Sequence, residues 1–286
     1  MAEISTLRIN ACRKAANDVL ASFDVQSPDE IDLETIAWRM GRLRIRYGGL
    51  QGCDGRIIAG PEGGIIRVRR SPSLGRERFT IGHEMGHFAL HPSPQIDRED
   101  GPPQFAMWHS DDEEVEANMF SAELLMPEFL VVRQIRDKEP SIALLDSLSE
   151  KFSTSLLASA MQYTKYTDEQ VALVLIERRT ILWAKLSKNF GYRIRRGTVS
   201  RDSAAGERLD GKAPDPDKMV VTPACAWLSE FEYDNKHDIM EDSRYLDYYD
   251  RTISLLWLNE DLEELETGRY RARTYPITSL TTSPQS

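Results

Sequence analysis

The spacing of apolar residues along the first 165 positions changes from helical to alternating and back to helical. Apolar residues recur every three or four positions over about 5–22 and 32–41, which predicts two helices. Asp32 is placed to cap the start of the second helix, and Gly41 is placed to end it. Apolar and polar residues then alternate in three short segments, which predicts three strands: LRIRY, GRIIAG and GIIRVRR.

Helical spacing dominates the next part of the chain, with one proline-rich interruption. A helix is predicted over about 76–90, with the sequence RERFTIGHEMGHFAL. Residues 92–110 contain four prolines and are predicted to form a loop that reverses the chain. Ser110 and Glu113 can form a capping box at the start of the next helix, which runs to Pro127. The remaining predicted helices cover about 128–137 and, in two pieces, 142–163.

The pattern changes again near residue 168. The segment VALVLIERRTILWAKLS predicts a β-hairpin, and YRIRRGTV and ISLLWL predict further strands. From Gly268 onward the chain is rich in Thr, Ser and Pro, a composition typical of disorder. The sequence therefore predicts a first domain over 1–167, a smaller mixed α/β domain over 168–267 and a disordered tail over 268–286.

Composition and charge narrow the function classes. The 286 residues are 41% hydrophobic and 29% charged, as in globular proteins with a substantial core. The net charge of −10 argues against a protein that coats nucleic acid or anionic membranes, because both tasks require a basic surface. Cys12, Cys53 and Cys225 lie far apart and provide no disulfide framework. No segment has the pattern of a signal peptide or a membrane span, so we expect a cytoplasmic protein.

The strongest chemical signal is the segment HEMGH at residues 83–87. Residues four apart lie one turn above each other on a helix, so His83 and His87 can bind the same ion. Glu84 would then lie beside an open coordination position, where it can take a proton from water. Zinc accepts nitrogen and oxygen ligands and lowers the pKa of bound water to about 7, so we expect a zinc-dependent hydrolytic site.

A catalytic zinc site of this type needs a third protein ligand. His91 continues the four-residue spacing, but eight residues at 1.5 Å rise place its backbone about 12 Å from that of His83. That distance is too long for one ion, so we expect His91 to make a structural hydrogen bond instead.

The helix that follows the predicted loop offers better candidates. Glu114 and Asn118 project into its apolar arc, whereas Glu116 and Glu123 are predicted to point away from that arc. A carboxylate on a buried face is costly unless it is paired or bound to a metal, so Glu114 is the candidate third ligand. Asn118 either holds a ligand histidine or is an ordinary polar residue at the rim. The apolar arc consists of Ala117, Phe120, Ser121, Leu124 and Leu125.

These segments resemble those of a known family. RFTIGHEMGHFALH, followed by the pattern E-x-x-A-N-x-F-x-x-x-LLMP, is similar to the ImmA/IrrE metallopeptidases over about residues 30–165. The resemblance implies an α+β fold with a zincin-like, gluzincin-type peptidase domain made of a small sheet, an active-site helix and a helical subdomain. It implies zinc ligands at His83, His87 and Glu114. Glu84 would serve as general base and acid.

The resemblance also implies a substrate class. Members of the family typically cleave a DNA-binding repressor, which relieves repression of mobile-element or stress genes. We therefore expect a helix-turn-helix repressor as the protein partner. Ser121 departs from the family pattern, in which alanine is usual at this position, and the departure should be tolerated.

The sequence does not decide which strand binds the substrate or which residue stabilises the oxyanion. An extended substrate could pair with residues 64–70 if that strand lies at a sheet edge, but an interior strand is nearly as good an interpretation. His109, Tyr47 and Arg78 are candidates to stabilise the oxyanion, and their spacing does not rank them. His237 lies in an acidic segment and is expected at the surface.

Competing hypotheses concern binding without catalysis. The chain could grip a regulator or toxin through a zincin-like fold without turnover. Residues 140–170 have a helix-turn-helix outline, but their second helix has no basic residue before Lys165, which argues against direct DNA binding.

The region after 167 could be a sensor, a partner-docking domain or a packing extension. The sequence leaves the oligomeric state open.

Overall fold

The computed structural model describes residues 6–91, 96–100, 112–212, 218–231 and 236–259, with the backbone alone for 96–100. These residues form eight α-helices and two sheets, which confirms a mixed α+β architecture. They divide into two compact units: unit 1 (Met1–Ile135 and Ala143–Tyr166) and unit 2 (Arg136–Ile142 and Thr167–Ser286). The predicted cap at Ser110 and the predicted tail 268–286 lie outside the described residues. Among the helices of the described part, none is long and apolar enough to cross a membrane.

Unit 1 is built around a four-stranded sheet and the helices that precede and follow it. The helices and the three strands predicted for this part of the chain are confirmed to within a few residues. The elements are α1 (Thr6–Ser22), α2 (Leu33–Gly41), β1 (Leu43–Gly48), β2 (Gly55–Gly60), β3 (Gly63–Arg69), α3 (Leu74–Leu90), β4 (Ile96–Asp100), α4 (Asp112–Leu125), α5 (Glu128–Ile135), α6 (Ile142–Phe152) and α7 (Leu156–Tyr166).

Local side-chain signals explain the bounds of α2. The Asp32 carboxylate accepts hydrogen bonds from Glu34 N and Thr35 N, so the predicted cap is confirmed. Gly41 is the last helical residue, as predicted. The reversal itself occurs at Arg42, which takes the left-handed conformation with a φ of 51°.

The sheet of unit 1 has the strand order β1-β3-β2-β4. β1 pairs with β3 in parallel, and the other two pairs are antiparallel. α3 packs on β2 and β3, whose residues Ile57, Ile66 and Val68 are buried. The interpretation of residues 64–70 as an edge strand is wrong, because β3 lies between β1 and β2.

The edge next to β2 is formed by β4, which lies inside the predicted proline-rich loop. Its sequence, IDRED, has one apolar residue and gives no alternation signal. Backbone pairing with β2 defines the strand instead, in a register that runs from Gly55–Asp100 to Ala59–Ile96. Strand pairing of this kind is non-local, so the loop prediction was wrong at 96–100.

Unit 2 contains a five-stranded antiparallel sheet with the order β6-β5-β9-β8-β7. The predicted hairpin and the predicted strand ISLLWL are confirmed as β5–β6 and β9. The segment YRIRRGTV is not a strand; Ile194 and Thr198 make only isolated bridges, and Gly197 has a φ of 89°. The elements are β5 (Gln170–Glu177), β6 (Thr180–Leu186), α8 (Ala204–Leu209), β7 (Val220–Pro223), β8 (Asp238–Leu246) and β9 (Arg251–Leu258).

The sequence did not indicate β8, because its middle is polar and acidic. Glu241 of this strand is fully buried in unit 2. Burial raises the pKa of Glu241, whereas hydrogen bonds to the carboxylate favour its ionised form. The carboxylate accepts five such bonds at 2.8–3.1 Å, from Ala204 N, Ala205 N, Thr222 Oγ1, Trp227 Nε1 and Ser254 Oγ.

His237 is buried, so its predicted place at the surface is wrong. Its ring centroid lies 5.1 Å from that of Phe231, which continues into a row of aromatic rings with Tyr192 and Phe190. The His237 carbonyl accepts a hydrogen bond from Ala224 N at 2.8 Å. The acidic neighbours in the sequence gave no sign of these non-local contacts.

Candidate metal centre

Two glycines of α3 allow α4 to pack closely against it. A Cβ atom at Gly82 would lie 2.6 Å from Ser121 Oγ, and one at Gly86 would lie 2.9 Å from Ala117 Cα. Each glycine directly precedes a histidine of the HEMGH segment, so the α4 backbone lies next to the turn that carries both histidines. The prediction from the apolar arc did not use this glycine repeat. Ser121 Oγ also donates to Phe79 O at 2.8 Å, which accommodates the departure from the family alanine.

His83 and His87 of α3 and Glu114 of α4 converge at one point. The Nε2 atoms of the two histidines lie 3.1 Å apart. Glu114 Oε2 lies 3.3 Å from His83 Nε2, and Glu114 Oε1 lies 3.2 Å from His87 Nε2. Both histidines are buried, whereas the Glu114 side chain is 29% exposed.

This group of ligand atoms fits a tetrahedral metal ion. With bonds of about 2.0–2.1 Å, two ligand atoms of a tetrahedral zinc site lie roughly 3.3–3.4 Å apart. Lone pairs on imidazole nitrogens and carboxylate oxygens repel each other at such distances unless a proton or a metal cation lies between them. When the Nε2 atoms carry hydrogens instead of a metal, hydrogen bonds from His83 and then from His87 lower the pKa of Glu114 well below its usual range.

The second ring nitrogen of each histidine also has a partner. His83 Nδ1 lies 3.0 Å from Asn118 Oδ1. His87 Nδ1 lies 3.2 Å from His91 Nδ1, and His91 Nε2 lies 2.8 Å from Glu116 Oε2. His91 is therefore placed behind His87, on the side away from Glu114.

Glu84 is fully buried between α3 and the start of β2. A Cβ atom at Gly55 would collide with Glu84 Oε1 and would lie 2.7 Å from Thr80 Cγ2. The missing side chain of Gly55 thus makes room for the Glu84 carboxylate. The register of β2 with β4 pairs Gly55 with Asp100, which brings the end of the edge strand close to this part of α3.

Two other glutamates of α4, Glu116 and Glu123, have partners that the helical wheel did not indicate. The Glu123 side chain is 2% exposed and forms an ion pair with Lys165 of α7. Glu116 contacts His91 of α3 and Arg8 of α1. A direction away from the apolar arc therefore does not mean exposure to solvent, because α4 packs against α1 as well as α3. All five residues of the predicted apolar arc are buried.

The candidates for oxyanion stabilisation stay predictions. The Arg70 guanidinium lies 3.8 Å from the centroid of the Tyr47 ring, and Arg78 Nη2 donates to Ile31 O at 3.2 Å. These partners are not members of the histidine–glutamate cluster. His109 lies outside the described residues.

The comparisons with known proteins concern both the family and the fold. Residues 44–162 match a peptidase family model described as the IrrE N-terminal-like domain. No curated protein matches the chain. The fold is similar to that of a Mycobacterium tuberculosis transcriptional regulator, with 13% identity, a TM-score of 0.55, and coverage of 90% of this chain and 78% of that one. This match over residues 44–162 supports the resemblance to the ImmA/IrrE family, whose peptidase domain suggests metallopeptidase activity.

Proposed function

We propose that this chain is a zinc-dependent endopeptidase with a zincin-like active site in unit 1. His83, His87 and Glu114 hold the metal, and Glu84 is the general base and acid. The observation that supports this most strongly is the convergence of the two Nε2 atoms, 3.1 Å apart, with the Glu114 carboxylate, whose two oxygens lie 3.2 and 3.3 Å from them. A buried glutamate on the same turn as the two histidines adds the proton acceptor that peptide hydrolysis needs.

The residues of the site divide the chemistry between them. Bound zinc would supply a charge that polarises the scissile carbonyl and lowers the pKa of water to about 7. Glu84 takes a proton from the attacking water and passes it to the leaving amine. With the Nδ1 hydrogen of His83 directed to Asn118 Oδ1, the lone pair of that ring is on Nε2, the atom that would bind the metal.

In this proposal an extended substrate adds to β4. This strand pairs with β2 on one side, and in the described part of the chain no strand pairs with its other side. Strand addition satisfies the peptide groups of a substrate without reading its side chains. The pairing of Asp100 with Gly55, whose position contacts Glu84, favours β4 over β1 as the edge that presents the substrate.

We propose a DNA-binding helix-turn-helix repressor as the substrate. The family resemblance supports this class, and a structure titled as a transcriptional regulator shares the fold. The net charge of −10 also complements the basic surface of a DNA-binding protein, which favours their encounter. The same proposal places the protein in the cytoplasm, with a peptidase domain over 1–167 and a second domain over 168–267.

Direct DNA binding by residues 140–170 receives no support from the packing of these helices. A recognition helix must expose one face to the major groove. Most of α7 is buried, including Leu157, Ala160 and Tyr163. The Gln162 side chain could otherwise form hydrogen bonds with a DNA base. Its Nε2 atom instead donates to Ala122 O and Met126 O.

The proposal is tested by incubating the zinc-loaded full chain with the helix-turn-helix regulator encoded beside its gene and measuring fragment masses. We expect discrete fragments that a chelator abolishes. Glu84→Gln should slow cleavage by at least about 100-fold, because it removes the general base. Glu150→Gln, an exposed change on α6, is the matched control and should cleave at the wild-type rate.

Two results would contradict the proposal. Cleavage by Glu84→Gln at the wild-type rate would show that Glu84 is not the base. A stable complex with the regulator and no fragments, in the presence of zinc, would instead favour the hypothesis of binding without turnover. A peptide library from proteome digests is incubated with the protein in parallel. Cleavage of library peptides but not of the regulator would show that the site is active and that the regulator was the wrong choice.

A further inference from the structure

A chain of polar contacts leads from His87 across three helices of unit 1. His87 Nδ1 lies 3.2 Å from His91 Nδ1, and His91 Nε2 lies 2.8 Å from Glu116 Oε2. The other oxygen of Glu116 accepts a hydrogen bond from Arg8 Nε. Arg8 also pairs with Asp112 at the start of α4. The contacts connect α3, α4 and α1.

If His87 binds a metal, the ring hydrogens along this series of contacts can be placed in only one way. If His87 presents the Nε2 lone pair to a metal, its ring hydrogen is on Nδ1, which must donate. His91 Nδ1 then has to accept, so the hydrogen of the His91 ring is on Nε2. That nitrogen faces Glu116, a carboxylate that can only accept, and Arg8 is a permanent cation that balances its charge.

The two histidines of the cluster are therefore held in different ways. His83 is held by the neutral amide oxygen of Asn118, within the α3–α4 pair. His87 is held through a second imidazole, a carboxylate and a guanidinium that belongs to α1 (Thr6–Ser22). The family model begins at residue 44, so Arg8 lies outside the part of the chain that the family match covers.

We propose that His91, Glu116 and Arg8 form a relay that fixes the tautomer and the ring orientation of His87, so that α1 contributes to metal affinity. The proposal rests on the metal site proposed above. His91 is a positioning residue in this scheme and not a ligand. Partners of metal-binding histidines typically change metal affinity by about 10–100-fold when they are removed.

The test measures Co²⁺ and Zn²⁺ affinity of the full chain by competition with a chelator, together with the visible spectrum of the Co²⁺ form. His91→Phe keeps a ring of similar size but removes both nitrogens, and should weaken binding by about 10–100-fold. It should also alter the Co²⁺ absorption bands, because the His87 ring is no longer fixed. His91→Asn places an oxygen close to the position of Nδ1 and should restore part of the affinity.

A second pair of variants tests the far end of the relay. Arg8→Met removes the cation at a side chain that is 37% exposed, where a loss of folding is not expected. It should weaken binding by about tenfold. Lys14→Met is the matched control, because it removes a cation from the same helix whose partner is Asp18. This control should bind both metals as the wild type does.

The outcomes separate this relay from the function on which it rests. Wild-type affinity and an unchanged Co²⁺ spectrum in both His91→Phe and Arg8→Met would overturn the relay while leaving the metal site intact. Failure of the wild-type chain to bind either metal would overturn the metal site itself. Circular dichroism at the temperature of the titration confirms that each variant is folded when its affinity is measured.

Discussion

Glu114 in unit 1 and Glu241 in unit 2 are both carboxylates inside packed regions, but their surroundings differ. Glu241 is fully buried and accepts five hydrogen bonds from groups that all donate. Glu114 is partly exposed and faces two imidazole nitrogens that can present lone pairs. A proton or a metal cation between the atoms can hold the second group together, whereas the hydrogen bonds of the first need no cation.

The comparison shows how a structural carboxylate differs from a candidate ligand. Burial by itself does not distinguish the two, because buried polar groups are normally hydrogen-bonded. What differs is the chemistry of the neighbours. The groups around Glu241 donate hydrogen bonds to it, whereas the imidazole nitrogens that face Glu114 can share either hydrogens or a metal cation with it. Each of the following predictions changes one carboxylate or the packing that positions it.

The largest effect is expected at the metal centre. Glu114→Gln removes the only negative charge of the proposed ligand set, so zinc affinity should fall by more than about 1,000-fold, or about 4 kcal/mol. Chelator competition measures this loss, and Glu150→Gln is again the control. Retention of wild-type affinity by Glu114→Gln would remove Glu114 from the ligand set.

Glu241→Gln should have no such effect on metal affinity but should destabilise the fold. The amide NH₂ would face at least one of the donors that now bind the carboxylate, which leaves a buried hydrogen bond unmade. We expect the free energy of unfolding to fall by roughly 3 kcal/mol. Urea denaturation followed by tryptophan fluorescence measures it, with Glu177→Gln as a partly exposed control. An unchanged urea midpoint would contradict a structural role for Glu241.

Gly86→Ala tests the packing that brings Glu114 to the histidines. The added methyl group would meet the α4 backbone at Ala117, so the two helices must separate. Overpacking of this kind costs about 2 kcal/mol, and zinc affinity should fall with it. Gly48→Ala, at a position with open space around it, is the control and should leave both quantities unchanged. If Gly86→Ala and Gly48→Ala have the same stability and zinc affinity, the close approach of α4 to α3 is not needed for either property.

The smallest effect is expected for Asp32, a carboxylate near the surface that caps α2. Asp32→Ala should cost about 1 kcal/mol of stability, and Asp32→Asn should cost less because it retains an oxygen acceptor. The Thr35 hydroxyl, more than the backbone N–H groups, lowers the pKa of Asp32 from its ordinary value of 3.8. The ionised form therefore stabilises the fold above about pH 4, and this contribution is lost as the pH falls further. Thermal unfolding from pH 3 to 7 should show the difference from Asp32→Ala shrinking below pH 4; a constant difference would contradict the assignment.

Much of unit 1 could be predicted because its signals are local. Helical spacing located α1 to α7, and alternation located β1, β2 and β3. The residues of the histidine–glutamate cluster were also candidates from spacing and from the apolar arc of α4. The ion pairs of Glu116 and Glu123 could not be predicted, because a helical wheel assumes one buried face and α4 has neighbours on more than one side.

The sequence by itself determined the order of most helices and strands, the turn that carries His83, Glu84 and His87, and the resemblance of these segments to the ImmA/IrrE family. Tertiary structure decided which strand lies at the sheet edge, how Glu116 and Arg8 reach His91, and why Glu241 is tolerated inside unit 2. The physical reason is distance along the chain. Helical spacing and capping act within a few residues, whereas strand order and buried polar networks join residues that are far apart in the sequence.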